Sequence, residues 1–180
     1  VTDSWTLTAA DGELQIRTDV GGPAAKMGHR LTIAMAAWQA SVEWRAGKPV
    51  SADLVVEVDS LQVLKGEGGV TPLSGPEKVV VRTNALKSLD AKKYPQIRFS
   101  ADSIAKTAAG YRMTGEVQIH GTTEPQTVEL AVADDGGVWV MTAEVAVRQS
   151  TFGIKPYSLL MGTMKVADDV TLRFTARHPT

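Results

Sequence analysis

Tyr111-Arg-Met-Thr-Gly-Glu-Val-Gln-Ile-His120 decides the fold class. Tyr111, Met113, Gly115, Val117 and Ile119 share one side, and Arg112, Thr114, Glu116, Gln118 and His120 share the other. A period of two belongs to an extended strand with one face on a core and one in water. Gly121-Thr-Thr-Glu-Pro125 then reads as a turn, after which Val128, Leu130 and Val132 resume the alternation. On the N-terminal side, Thr107-Ala-Ala-Gly110 separates this strand from one carrying Ile97 and Phe99 against Gln96 and Arg98. Beyond Asp134-Asp-Gly-Gly137, a further strand runs from Trp139 to Val147. Links this short join antiparallel neighbours and leave no room for a parallel crossover. Residues 96–149 therefore read as four strands in three successive hairpins.

The same alternation appears further out. Leu14 and Ile16, then Leu31, Ile33 and Met35, then Leu54, Val56 and Val58 each mark a strand, and Val170, Leu172 and Phe174 mark the last. The count is about eight. Ser74-Gly-Pro-Glu77 has the form of a capping box with Pro76 in the first turn, which predicts a helix reaching Leu89 through Val79 and Leu86. A shorter helical turn is expected over Pro23 to Met27. One such helix cannot cover so wide an apolar sheet face, whereas curling the sheet closed buries the face and removes the edges. The expectation is an all-β chain: one domain over residues 1–180, an extended antiparallel barrel of about eight strands with one or two short helices. The interior of such a barrel is filled by side chains or leaves room for one small ligand.

Composition removes several function classes. The 180 residues carry 19 Lys and Arg against 20 Asp and Glu, a net charge of −1, and no basic stripe, which argues against a nucleic-acid partner. There is no cysteine, so disulfide scaffolds, thiol catalysis and iron–sulfur ligation are out. His29, His120 and His178 lack metal-ligand spacing, and no metal site is expected. GxSxG is missing, and Lys65-Gly-Glu-Gly-Gly69 has no Gly-Lys-Ser/Thr after it, so it is no phosphate loop. The acidic pairs Asp134-Asp135 and Asp168-Asp169 read as solvated turns. No enzyme and no cofactor is expected. No apolar run approaches the roughly 18 residues of a membrane span, so stable membrane insertion is not expected. The opening residues lack a basic-then-apolar signal pattern, which favours a cytoplasmic location.

The inward-facing side chains carry more information. They are aliphatic, with Met35, Met113, Met141, Phe99, Trp139 and Phe174 added. Methionine-rich surfaces suit a flexible apolar ligand, and the same residues also build a solid core. His120 and His178 read as surface residues. His29, in Lys26-Met-Gly-His-Arg30 at the entrance to a strand, has two readings: a buried ring bonded to a loop carbonyl, or a contact to a ligand head-group.

Four segments carry a family resemblance. Ser88-Leu-Asp-Ala-Lys-Lys-Tyr-Pro-Gln-Ile-Arg-Phe99 resembles the "D-v-x-K-Y-P-x-I-x-F" element of the YceI-like family. Gly115-Glu-Val-Gln-Ile-His-Gly-Thr-Thr-Glu-Pro-Gln-Thr-Val128 is similar to its "G-x-L-x-I-x-G-x-T-x-P" hairpin. Arg148-Gln-Ser-Thr-Phe-Gly-Ile154 resembles its "R-x-x-F-G-I" element, and Gly28-His29 its Gly-His pair. The elements stand in the family's order across about residues 12 to 176. The resemblance implies a lipocalin-like barrel that holds a polyisoprenoid, such as a polyprenyl phosphate or an isoprenoid quinone, commonly as a homodimer. It also includes exported, periplasmic members. On that basis Leu31, Ile33, Met35, Phe99, Met113, Val117 and Trp139 are the expected lining of the ligand site, with His29 and Arg148 as head-group candidates. Arg148 has a competing reading, pairing with Glu144 or Asp169. Tyr94-Pro95 is expected to set the entry to the Ile97 strand, Gly121 and Pro125 to shape a turn, and Gly153 to allow a bulge. The expected role is non-enzymatic carriage of a long apolar lipid. The competing expectation is a solid barrel serving protein contact.

Overall fold

The three expected hairpins form as β8 (Gln96–Lys106), β9 (Gly110–Ile119), β10 (Thr122–Asp134) and β11 (Val138–Arg148) in a computed structural model that describes residues 2–180. Each pairs antiparallel with the next: Val117 lies opposite Phe99 and Glu124, and Leu130 opposite Ala143. Seven more strands extend this meander: β1 (Thr2–Thr8), β2 (Gly12–Arg17), β4 (His29–Met35), β5 (Trp38–Arg45), β6 (Lys48–Glu57), β7 (Leu61–Gly68) and β14 (Asp169–Pro179). The sheet runs β1-β5-β6-β8-β9-β10-β11-β14-β2-β4-β7. Three short strands, β3 (Val20–Gly21), β12 (Ser158–Leu159) and β13 (Met164–Val166), make a separate flap.

The sheet curls into a half-barrel. Leu7 on β1 belongs to one packed cluster with Leu14 on β2, Leu61 on β7 and Met141 on β11, strands far apart in sheet order. The outermost strands β1 and β7 share no ladder among the described residues. The fold is consistent with the lipocalin-like expectation, but the main sheet has 11 strands rather than about eight. The eight expected strands are all in it; β1, β5 and β7 are the additions. In β7 the pairing slips between Thr32 and Ile33 of β4, leaving Leu64 as an extra residue, and such a bulge breaks the period that marks a strand. In β1 only Trp5 and Leu7 are large and apolar.

The helix α1 (Gly75–Ser88) starts as expected. Ser74 Oγ accepts the Glu77 N–H at 3.2 Å and the Glu77 carboxylate accepts the Ser74 N–H at 3.1 Å. Arg82 pins the helix to the sheet by donating to the carbonyls of Leu61 (2.8 Å) and Asp59 (2.6 Å). Ala85, Leu86 and Leu89 pack on the concave face. The expected turn near residue 25 is a 3-10 turn, Ala25–Met27.

Two motif expectations change. Pro125 lies within β10 opposite Glu116, and the turn is the two-residue His120-Gly121. Pro125 is tolerated because β11 pairs with β10 only from Leu130 onward. Gly121 has φ +74, and a Cβ there would come within 2.6 Å of the Tyr94 ring, so Tyr94 of the Tyr-Pro motif packs directly on this turn. Gly153 makes no bulge: with φ +71 it ends the 3-10 turn Gln149–Phe152, which brings the chain back from β11 and buries Phe152 and Ile154.

Candidate functional site: an apolar cavity beneath the helix

The concave face is not completely filled. A cavity of about 260 Å³ lies between α1, the flap and the sheet. Ile16, Leu31, Ile33 and Met35 form the wall from β2 and β4, and Val81, Ala85 and Leu89 come from the helix side. Ile119, Val147, Val170 and Leu172 form the opposite wall, while Met27, Tyr157, Leu159 and Met164 close over the top. The polar lining groups are few (Thr18, His29, Asn84, Ser88, Gln149 and Lys165), and no carboxylate is among them. Such a chamber favours an apolar occupant and disfavours a buried cation, because no carboxylate in the walls would compensate one.

The strand β4 supplies four of the expected site residues: His29, Leu31, Ile33 and Met35 all line the cavity. His29 is half-buried; its Nε2–H donates to the Thr71 carbonyl at 2.6 Å, the loop-carbonyl contact expected of it, and its ring borders the cavity. The other five lie elsewhere. Val117 is buried and Phe99 packed in a side cluster with Phe152 and Ile154, leaving no face toward the open space. Met113 sits opposite Ile104 and Val128, further along the barrel. Trp139 belongs to an aromatic cluster at the far end, with Trp5 at 5.2 Å and Trp44 at 5.6 Å between ring centroids. Arg148 is on the outer face, where its Nε donates to Asp169 at 3.0 Å. That hydrogen bond and the Asp169 charge raise the guanidinium pKa, so the carboxylate pairing is the one realised.

Two histidines expected at the surface have defined partners. His178 stacks on Trp5 with centroids 3.8 Å apart, and His120 shares contacts with Tyr94 (4.9 Å) and donates from Nδ1 to the Phe152 carbonyl at 3.2 Å. Sequence reasoning missed the helix and flap residues of the lining. The one available signal was Tyr157-Ser-Leu-Leu-Met161, an apolar run inside a segment bounded by Pro156 and Gly162. Among the described residues, no helix is long and apolar enough to cross a membrane.

A family model described as the YceI-like domain matches residues 5–178. The chain belongs to the YceI-like family. Solved structures agree on the fold. BcnA of Burkholderia cenocepacia is 22% identical with a TM-score of 0.69, the match covering 94% of this chain and 98% of that one. The Campylobacter jejuni YceI protein is 13% identical with a TM-score of 0.60, covering 82% of this chain and 84% of that one. A single-cysteine mutant of the C. jejuni protein gives 14% and 0.62 over the same shares. No curated protein matches. Within this YceI-like chain, Tyr94, Gly121 and Phe152 of the motif elements shape the side cluster and its turns, while Ile97, Ile119, Gln149 and Ile154 of the same elements reach the cavity lining.

Proposed function

We propose that this YceI-like chain is a non-enzymatic carrier of a long apolar lipid, a polyisoprenoid, whose tail occupies the cavity beneath α1. The observation that carries the reading is the cavity itself: aliphatic on every wall and free of carboxylates. Membership of the YceI-like family supports the isoprenoid class. The volume of about 260 Å³ falls just under the usual range for small-molecule sites, roughly 300–1,000 Å³, so it suits the tail of a long chain better than its whole length. Each methylene withdrawn from water contributes about 0.8 kcal/mol before ordering costs, enough for a few isoprene units to hold the ligand. Lys165 stands in place of Arg148 beside His29, the other basic group of the lining, as a head-group candidate. No cofactor is needed. The homodimer implied by the resemblance is part of the same proposal.

Mass spectrometry of a solvent extract, with native mass spectrometry of the purified protein, tests this. A stoichiometric prenyl lipid is expected, and the native mass reads the dimer directly. Ala85→Trp, projecting from α1 into the cavity, should lower uptake of polyprenyl phosphate and isoprenoid quinone at least tenfold while destabilising the fold by no more than about 1–3 kcal/mol. A protein that carries no lipid and takes up neither probe refutes the carrier reading in favour of a contact module.

A further inference from the structure

The cavity has a rim of unusual composition. Met27, Tyr157 and Leu159 line the cavity and are also exposed, so they mark its mouth. The next two residues project further: Leu160 is 53% exposed and Met161 104%. Both have left-handed backbone, φ +52 and +57, which residues bearing a Cβ adopt only against a steric cost. That conformation turns two large apolar side chains into solvent. The tip is nevertheless a built structure. Thr163 donates from its N–H (3.2 Å) and its hydroxyl (2.7 Å) to the Leu160 carbonyl, and Ala24 donates to the Thr163 carbonyl at 2.7 Å, tying the tip to the turn that carries Met27. On the helix side, Val79 and Val80 are exposed beside Val81 of the lining.

The two segments that form this tip carry charge of one sign. Residues 20–28 and 151–166 carry Lys26, Lys155 and Lys165 and no acidic residue. None of the three is in an ion pair among the described residues. Two acids flank the segments: Asp19, whose carboxylate accepts the Val20 N–H at 2.8 Å, and Asp168, whose carboxyl feels the Lys165 charge.

We propose that this rim docks on an anionic lipid bilayer, with Leu160 and Met161 entering the acyl boundary and the three lysines facing the lipid head-groups. Apolar side chains fringed by lysine are the composition of interfacial membrane anchors. A second copy of the chain is the poorer occupant, because an isologous contact would set this lysine fringe against itself. Docking in this pose opens the cavity mouth onto hydrocarbon. A tail can then pass between bilayer and cavity without crossing water. The inference extends the carrier reading, but the docking step needs no prenyl lipid.

The test is flotation of the full chain with phosphatidylcholine–phosphatidylglycerol vesicles containing no prenyl lipid. The wild type is expected to float with these vesicles, about tenfold or more weaker with phosphatidylcholine alone, and weaker as salt rises. Leu160→Ser/Met161→Ser should lose about tenfold or more in vesicle affinity with an unchanged thermal melt, since neither side chain is part of the core. A wild type that does not float, or a double variant that floats equally well, overturns the proposal. So does a wild-type dimer in sedimentation that dissolves in the variant without any vesicle binding, which would make the tip a self-association surface. Vesicle docking that persists in a protein unable to take up prenyl lipid upholds the docking surface and sinks the carrier reading alone.

Discussion

At one end of β11, Trp139 packs against Trp5 and Trp44, with His178 stacked on Trp5 beside them. Eight residues further along, about 26 Å at strand rise, Val147 faces the cavity. The aromatic end is filled by broad flat rings meeting at tilted and edge-on angles, an arrangement that leaves little space. The other end is lined by aliphatic side chains and closed only by the flap and the helix. One strand therefore spans a stopper and a chamber, so entry from the aromatic end would mean dismantling packed rings. Entry at the flap end requires only that Met27, Tyr157 and Leu159, already in contact with solvent, move aside.

If the stopper is structural and the rim is not, the two ends must respond differently to truncation. Trp139→Ala should cost about 3 kcal/mol in urea denaturation, whereas Leu160→Ser should stay within about 0.5 kcal/mol of wild type. Equal costs would erase the distinction between the ends. A smaller effect is expected at the helix roof: Ser74→Ala removes one half of the capping box and should lower stability by about 1 kcal/mol, read from a thermal melt. The smallest concerns acid. Hydrogen bonds from Ser150 hold the Asp168 carboxyl below the ordinary carboxylate value, and those with Ser74 do the same for Glu77. A carboxyl pKa lower in the folded state means stability that is complete above the ordinary value, about pH 4, and lost as pH falls through the lowered one. Urea midpoints measured from about pH 5 downward should therefore decline, with a shallower slope in Asp168→Asn. An identical slope would mean that the Ser150 contact does not persist in solution.

The hairpins of β8 to β11 were legible because each strand alternates cleanly and each turn is short and rich in Gly, Asp or Thr. The capping box at Ser74 was equally legible, being a local pattern with a local cause. The order of the remaining strands was not, since β14 pairing with β2, and β4 with β7, are contacts between distant segments that no local pattern encodes. The site divides along the same line. Parity assigned Leu31, Ile33, Met35, Met113, Val117 and Trp139 to the inner face, but parity says nothing of depth along the barrel, and only the β4 residues lie at the level of the cavity. Arg148 differs: it has the opposite parity to Trp139, Met141 and Val147, so its outward position was already written in the alternation. Ala85 and Leu159 reach the site from a helix and a flap whose placement depends on the finished sheet.

Among the described residues the edges of β1 and β7 are unjoined, which gives the half-barrel a mechanical property that a closed one lacks. Widening a sealed cylinder stretches hydrogen bonds in every ladder around its circumference. Here the circumference is interrupted, so the wall can part at the seam by sliding side chains over one another while all ten main-sheet ladders keep their register. The girth of the half-barrel is then set by soft apolar contacts rather than by a closed ring of hydrogen bonds.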